Sequence, residues 1–209
     1  MGSSPQLHLV TDPQLPRQQL LAAIRAAAEN GVDWVQVRDH QASGRELFDL
    51  TSEIVAVARP LGARVAVNDR IDVALAAGAD GVQLGERSLS VSVAKRIAPG
   101  LQLGASVHGV ARATQAAAER ADWLTFGHVF ATSSHPGEPP RGLDELARVV
   151  EAVHCLVIAI GGIGPDQVSA VLAAGAAGVA VMSAILKASD PGQATRLLRS
   201  HLAMPPNPI

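Results

Sequence analysis

Tyrosine is absent from this chain, and with three Phe and two Trp the aromatic share of its 209 residues is 2%. The core must therefore be packed from aliphatic side chains. A single cysteine, Cys155, excludes an internal disulfide and any thiolate-rich metal site, and it fits a reducing cytoplasm. It stands where the apolar run "CLVIAIGG" begins, which reads as a buried, inert thiol rather than a nucleophile. No uninterrupted apolar run approaches the ~18–20 residues of a membrane span. The opening "MGSSPQLHLV" lacks a basic segment followed by a long apolar region, and Gln6 stands where a myristoylation signal needs Ser or Thr. Charge of one sign is also lacking. The net charge is −2, and the 17 basic residues are scattered. Neither nucleic acid nor an anionic membrane surface is an expected partner. A cytoplasmic protein acting on a small molecule is expected.

What the chain does have is a repeated unit. Short runs rich in Val, Ile and Leu recur at 7–10, 34–38, 64–68, 81–85, 101–107, 123–129, 156–162 and 178–183. Ala-rich segments with helical spacing separate most of them, as at 18–30, 44–60 and 165–175. Strand followed by helix, repeated, implies parallel strands joined by right-handed crossovers. Eight such units in one chain predict a single (β/α)8 TIM-barrel domain over 1–209, with 203–209 a disordered tail. The shortest link, "SVSVAKRIA", has space for only a short helix.

In such a barrel the active site lies at the carboxyl ends of the strands. The residues expected there are polar: Thr11, Asp12, Gln36, Arg38, Asp39, Asn68, Asp69, Arg70, Gln83, Glu86, Ser106, His108, His128 and Ser183. Alternation places Gln36 with Arg38 on one face, and Phe126 with His128 on one face. Gly161 and Gly162 end the seventh strand in "AIGGIGPDQV", and Ser183 follows the eighth; loops at these places form the recurrent phosphate site of TIM barrels. His128 is the best titratable candidate, because imidazole exchanges protons near neutral pH. The segment 131–142, "ATSSHPGEPPRG", follows it as a candidate lid. Arg38 reads equally as an anion clamp or as a structural partner of Asp39 or Asp69, and the role of His108 stays open. Asp69 is a hard oxygen donor, but one carboxylate makes a poor Mg2+ site without a second carboxylate or a substrate pyrophosphate. Asp72 reads as a solvent-facing or capping residue of the next helix.

The motifs "VQVRD", "VNDRIDVALAAGADGVQLGE", "LGASVH", "ADWLTFGHVFAT", "VIAIGGI" and "GVAVMSAI" together resemble the thiamine-phosphate synthase and TenI superfamily over nearly the whole chain. That resemblance implies one of two activities. A synthase joins a pyrimidine pyrophosphate to a thiazole phosphate with Mg2+; a TenI-like thiazole tautomerase aromatises the thiazole carboxylate phosphate by proton transfer, without cofactor. The synthase pattern carries lysine at the positions of His40 and His135, a carboxylate at Ser88 and proline at His128. "GHVF" is similar to the tautomerase strand end, which implies His128 as acid/base. The expectation is therefore a tautomerase, with His128 catalytic, and Gln36, Arg38, Asn68, Ser106, Gly161, Gly162 and Ser183 binding a phosphorylated thiazole. No metal is expected, with Asp69 a Mg2+ ligand only if the chain is a synthase. A non-catalytic regulator that binds thiamine phosphates is the third reading. A homodimer through the Ala-rich helices is compatible with the sequence.

Overall fold

A computed structural model of the protein describes residues 4–134 and 136–203. Eight parallel strands close on one another in chain order to form a barrel. They are β1 (Gln6–Val10), β2 (Trp34–Val37), β3 (Arg64–Asn68), β4 (Gly81–Leu84), β5 (Gln102–Val107), β6 (Trp123–Gly127), β7 (Leu156–Ile160) and β8 (Gly178–Val181). Closure is made by β1 against β8, with His8 opposite Ala180. The expected (β/α)8 barrel is thus the observed fold, and each strand agrees with the apolar run that predicted it to within two residues at either end.

Helices cover the outside: α1 (Arg17–Glu29), α2 (Gly44–Ala58), α3 (Ile71–Ala76), α4 (Val91–Ile97), α5 (Val110–Ala118), α6 (Gly142–Glu151), α7 (Pro165–Ala173), α8 (Ser183–Leu186) and α9 (Pro191–Ala203). The link judged short in the sequence is α4, seven residues long. Local sequence explains where helices start. Ser43 and Glu46 form a reciprocal capping box on α2, and Pro165 occupies the first turn of α7, where its missing N–H costs nothing. Ala203 closes α9, and 204–209, most of the expected tail, lie outside the described residues. No helix among the described residues is long and apolar enough to cross a membrane.

Two apolar regions result. The large one, between strands and helices, is aliphatic apart from a few rings; Leu9, Ile24, Ile54, Leu124 and Phe126 are fully buried in it. The second lies inside the barrel and contains both tryptophans, Trp34 and Trp123, with Val10, Ala66, Ile158 and Ala180. Aliphatic packing was expected throughout, so the barrel interior departs from the composition. Its floor is aromatic. The indoles of Trp34 and Trp123 pack with centroids 5.0 Å apart, His8 lies 6.1 Å from each, and the Arg64 guanidinium covers Trp34 at 4.3 Å. A wide ring is the efficient way to fill a barrel axis flanked by Gly81, Gly104 and Ala66, which leave the space open.

Candidate active site

Above this floor the interior turns polar, because successive inward positions on a strand are two residues apart. On β4 and β6 the inward series run Gly81, Gln83 and Trp123, Thr125, Gly127. Gln83 Oε1 accepts from Trp123 Nε1 at 2.9 Å and from Thr125 Oγ1 at 3.1 Å, and its Nε2 donates to Ser106 Oγ at 3.0 Å. On the other side, Gln36 Nε2 donates to Asn68 Oδ1 at 2.8 Å, and Asn68 Nδ2 donates to Asp69 Oδ2 at 2.7 Å.

These residues form the base of a cavity of about 1050 Å³ at the carboxyl ends of the strands. Every residue expected to bind substrate lines it: Gln36, Arg38, Asn68, Ser106, Gly161, Gly162 and Ser183, together with His128 and Asp69. Arg38 makes no ion pair among the described residues, so its side chain is committed to neither Asp39 nor Asp69; its backbone is what is tied, through both N–H and C=O to the Thr11 hydroxyl. Asp69 is held with φ at +63°, a region sparsely used by non-glycine residues and often found at functional sites. Its Oδ1 accepts from the Gly85 N–H at 2.9 Å and from the Ser88 hydroxyl.

Gly161 and Gly162 have φ of +101° and +67°. A Cβ on Gly161 would strike His128, and one on Gly162 would strike the Ala131 carbonyl and Phe130, so only glycine lets the β7–α7 loop lie against the end of β6. The 131–142 segment is fastened at its base, where Arg141 N–H donates to His128 O and Gly142 N–H to Val129 O. Ala131 to Ser134 line the cavity edge; His135 lies outside the described residues.

Several mouth assignments need correction. Thr11 and Asp12 are buried structural residues, Asp39 caps the turn before α2 through the N–H groups of Gln41 and Ala42, and Arg70 pairs with Asp72; none of them lines the cavity. That guanidinium holds the Asp72 carboxyl down at about 2, below the usual carboxylate range. Alternation placed His128 with Phe126, whose ring is buried outside the barrel. His128 nevertheless lines the cavity, because β6 ends at Gly127 and the two-residue period stops there. Its Nε2 lies 3.4 Å from the Glu138 carbonyl oxygen. His108 is also at the cavity, with Nδ1–H donated to Gly127 O at 2.6 Å and Nε2 3.8 Å from Glu86. Cys155 is half-buried, and burial pushes its thiol up, away from thiolate character. Sequence reasoning missed Thr125, Arg87 and Gln167 at the cavity; inward alternation from Trp123 is the signal that reaches Thr125.

A closed (β/α)8 barrel with a polar cavity at its mouth, bounded by the Gly161–Gly162 loop after β7 and by Ser183 after β8, defines a class of enzyme-like barrels suited to phosphorylated small ligands. A model of the family described as thiamine monophosphate synthase matches residues 7–185. The chain belongs to that family. It is 44% identical over 200 residues to the thiamine-phosphate synthase of Methanoculleus marisnigri, covering 94% of this chain and 95% of that protein. It is 41% identical over 194 residues to that of Pyrococcus abyssi, covering 93% of each. Among solved structures, thiamine phosphate pyrophosphorylase from Pyrococcus furiosus superposes with a TM-score of 0.87 at 39% identity, over 95% of this chain and 96% of that one.

These relatives overturn the tautomerase expectation, and with it the isomerase assignment. Similarity of 41–44% over nearly the full length is to thiamine-phosphate synthases, whereas the tautomerase reading rested on a handful of positions around "GHVF". A few loop letters are a poor guide to chemistry carried out by a whole cavity.

Proposed function

We propose that the protein is a thiamine-phosphate synthase, a transferase that joins a pyrimidinylmethyl diphosphate to a thiazole phosphate. The observation that supports this reading best is a single cavity in which the Gly161, Gly162 and Ser183 loops and the Arg38, Asn68 and Asp69 group both take part, in a chain 44% identical to a synthase. One substrate carries a phosphate and the other a diphosphate. The lining of the cavity includes groups suited to both.

In the reaction the C–O bond between the pyrimidine methylene and the diphosphate breaks, and the thiazole nitrogen donates its electron pair to that carbon. Diphosphate leaves with the bonding electrons. The protein's part is to hold the two rings in line and to receive the charge on the departing oxygens. The Gly161–Gly162 loop offers backbone N–H groups and the β8 loop the Ser183 hydroxyl to the thiazole phosphate. Arg38, with its guanidinium uncommitted, faces the diphosphate as an anion clamp.

Mg2+ is the cofactor this reading implies. The donors present suit it: the Asp69 carboxylate and the adjacent Ser88 hydroxyl are hard oxygen ligands, and diphosphate oxygens would complete the set, as Mg2+ sites with one carboxylate commonly require. When bound, the ion neutralises negative charge on the leaving group.

The test is incubation of the purified protein with both substrates and Mg2+, with thiamine phosphate and diphosphate quantified by mass spectrometry. Formation of both in equal amounts is expected. A folded protein that forms neither would overturn the assignment.

A further inference from the structure

The hydrogen bonds beneath the cavity have a direction, and that direction is set from the barrel floor. An indole N–H can only donate. Trp123 Nε1–H points at Gln83 Oε1 at 2.9 Å, which fixes which end of the Gln83 amide is oxygen. Thr125 Oγ1 donates to the same oxygen at 3.1 Å. The amide nitrogen is then turned to Ser106, where it donates to Oγ at 3.0 Å. Ser106 thus accepts from below, and no acceptor for its hydroxyl hydrogen is found among the described residues. Ser106 lines the cavity and is half-buried, so that hydrogen is available to a group in the cavity.

A second observation shows that the chain makes room for this arrangement. Gly104 sits on β5 directly opposite Gln83 on β4 and Trp123 on β6. A Cβ there would fall on the indole edge and on Gln83 Oε1 at once. The position has an extended backbone that any residue adopts, so its small size serves the Trp123–Gln83 bond. That bond joins residues 40 apart in sequence and is fully buried.

We infer that Trp123 and Gln83 are positioning residues that keep the Ser106 hydroxyl hydrogen available as a donor toward the substrate, so that the cavity favours an acceptor atom at this place in a heteroaromatic ring. The inference rests on the proposed reading as an enzyme that binds such rings, and it deepens that reading by stating which polarity the ring must present. Groups that donate there, such as a protonated ring nitrogen or an amino group, would meet only the remaining lone pair of Ser106 and leave its hydrogen without an acceptor.

Gln83→Glu tests the polarity with almost no change of shape. A carboxylate still accepts from Trp123 and Thr125, but its second oxygen also accepts, so the Ser106 hydrogen turns down to it and away from the cavity. The expected result is a rise of about tenfold in KM for one substrate with kcat changed far less, the scale of one lost hydrogen bond. Trp123→Phe, which keeps an aromatic side chain and deletes the donor, should move KM for the same substrate. In a Ser106→Ala background neither substitution should raise KM further. Unchanged KM in both single variants, or effects that multiply with Ser106→Ala, would overturn the inference. Neutron diffraction from crystals of the full chain reads the orientation without reference to turnover. A Ser106 hydrogen pointing into the cavity is expected, and one pointing at Gln83 would overturn it. Failure of the synthase reading shows differently, as absence of thiamine phosphate with the wild-type protein.

Discussion

The Ser88 hydroxyl donates to Oδ1 of Asp69, and the same carboxylate oxygen takes the Gly85 N–H at 2.9 Å. This pair joins the loop after β4 to the end of β3 at the cavity edge, and it stands where a second carboxylate was sought in the sequence. Asp69→Asn isolates the charge, because asparagine tolerates the left-handed backbone that Asp69 adopts at φ +63°. Turnover in saturating substrates should fall about 100-fold or more, the scale of losing a charge that stabilises the leaving group. The melting midpoint should barely move. Ser88→Ala should cost less, about tenfold, and more Mg2+ should recover part of it.

Gly162→Ala should raise the KM for thiazole phosphate. The new Cβ would press on the Ala131 carbonyl and Phe130, and the φ of +67° disfavours a side chain. Strain of this kind costs about 1–3 kcal/mol, so a loss of roughly tenfold or more in kcat/KM is expected. Steady-state kinetics with each substrate varied in turn should place the effect on the thiazole phosphate, with the KM for the diphosphate substrate little changed.

His8 makes stability depend on pH. Its imidazole is pushed down to about 3, first by burial and then by the positive charges of Arg64 and Arg199, and its Nε2–H donates to Gln6 Oε1 at 2.9 Å. Above the ordinary value of 6.5 neither the folded nor the unfolded form binds a proton at this site. As pH falls below 6.5 the unfolded chain takes up a proton that the folded chain refuses, and stability declines until pH reaches about 3. The slope approaches ~1.4 kcal/mol per pH unit from this group. Urea unfolding at a series of pH values should show it, and His8→Leu should remove it.

Phe126→Ala should destabilise without touching the chemistry. The ring is fully buried between strands and helices, on the face opposite the cavity. Loss of such a side chain costs about 3–5 kcal/mol, which in a chain of this size lowers the melting midpoint by about 10 °C. Its KM values should stay near those of the wild type below the transition.

Much of the scaffold was legible in the sequence. The alternation of short apolar runs with Ala-rich helical segments is a local signal, so all eight strands could be counted and the mouth residues named. Gln36, Arg38, Asn68, Asp69, Ser106, His128, Gly161, Gly162 and Ser183 do meet around one cavity. The same reasoning failed where a local rule stopped applying. The period of two put His128 beside Phe126, but the strand ended one residue earlier. Thr11, Asp12, Asp39 and Arg70 stand at strand ends, yet they bond to neighbouring backbone or side chains and are lost to the cavity.

The sequence by itself determined the barrel, because hydrophobic periodicity and helix starts depend on residues close along the chain. Only the tertiary structure decided how the interior is directed. Trp123, Gln83 and Ser106 lie on three adjacent strands, and their hydrogen bonds exist because closure of the barrel brings those strands side by side across Gly104. No spacing along the chain encodes which way an amide is turned. That is fixed by a donor-only indole on a strand 40 residues away, in an interior where an unpaired polar group costs too much to be left.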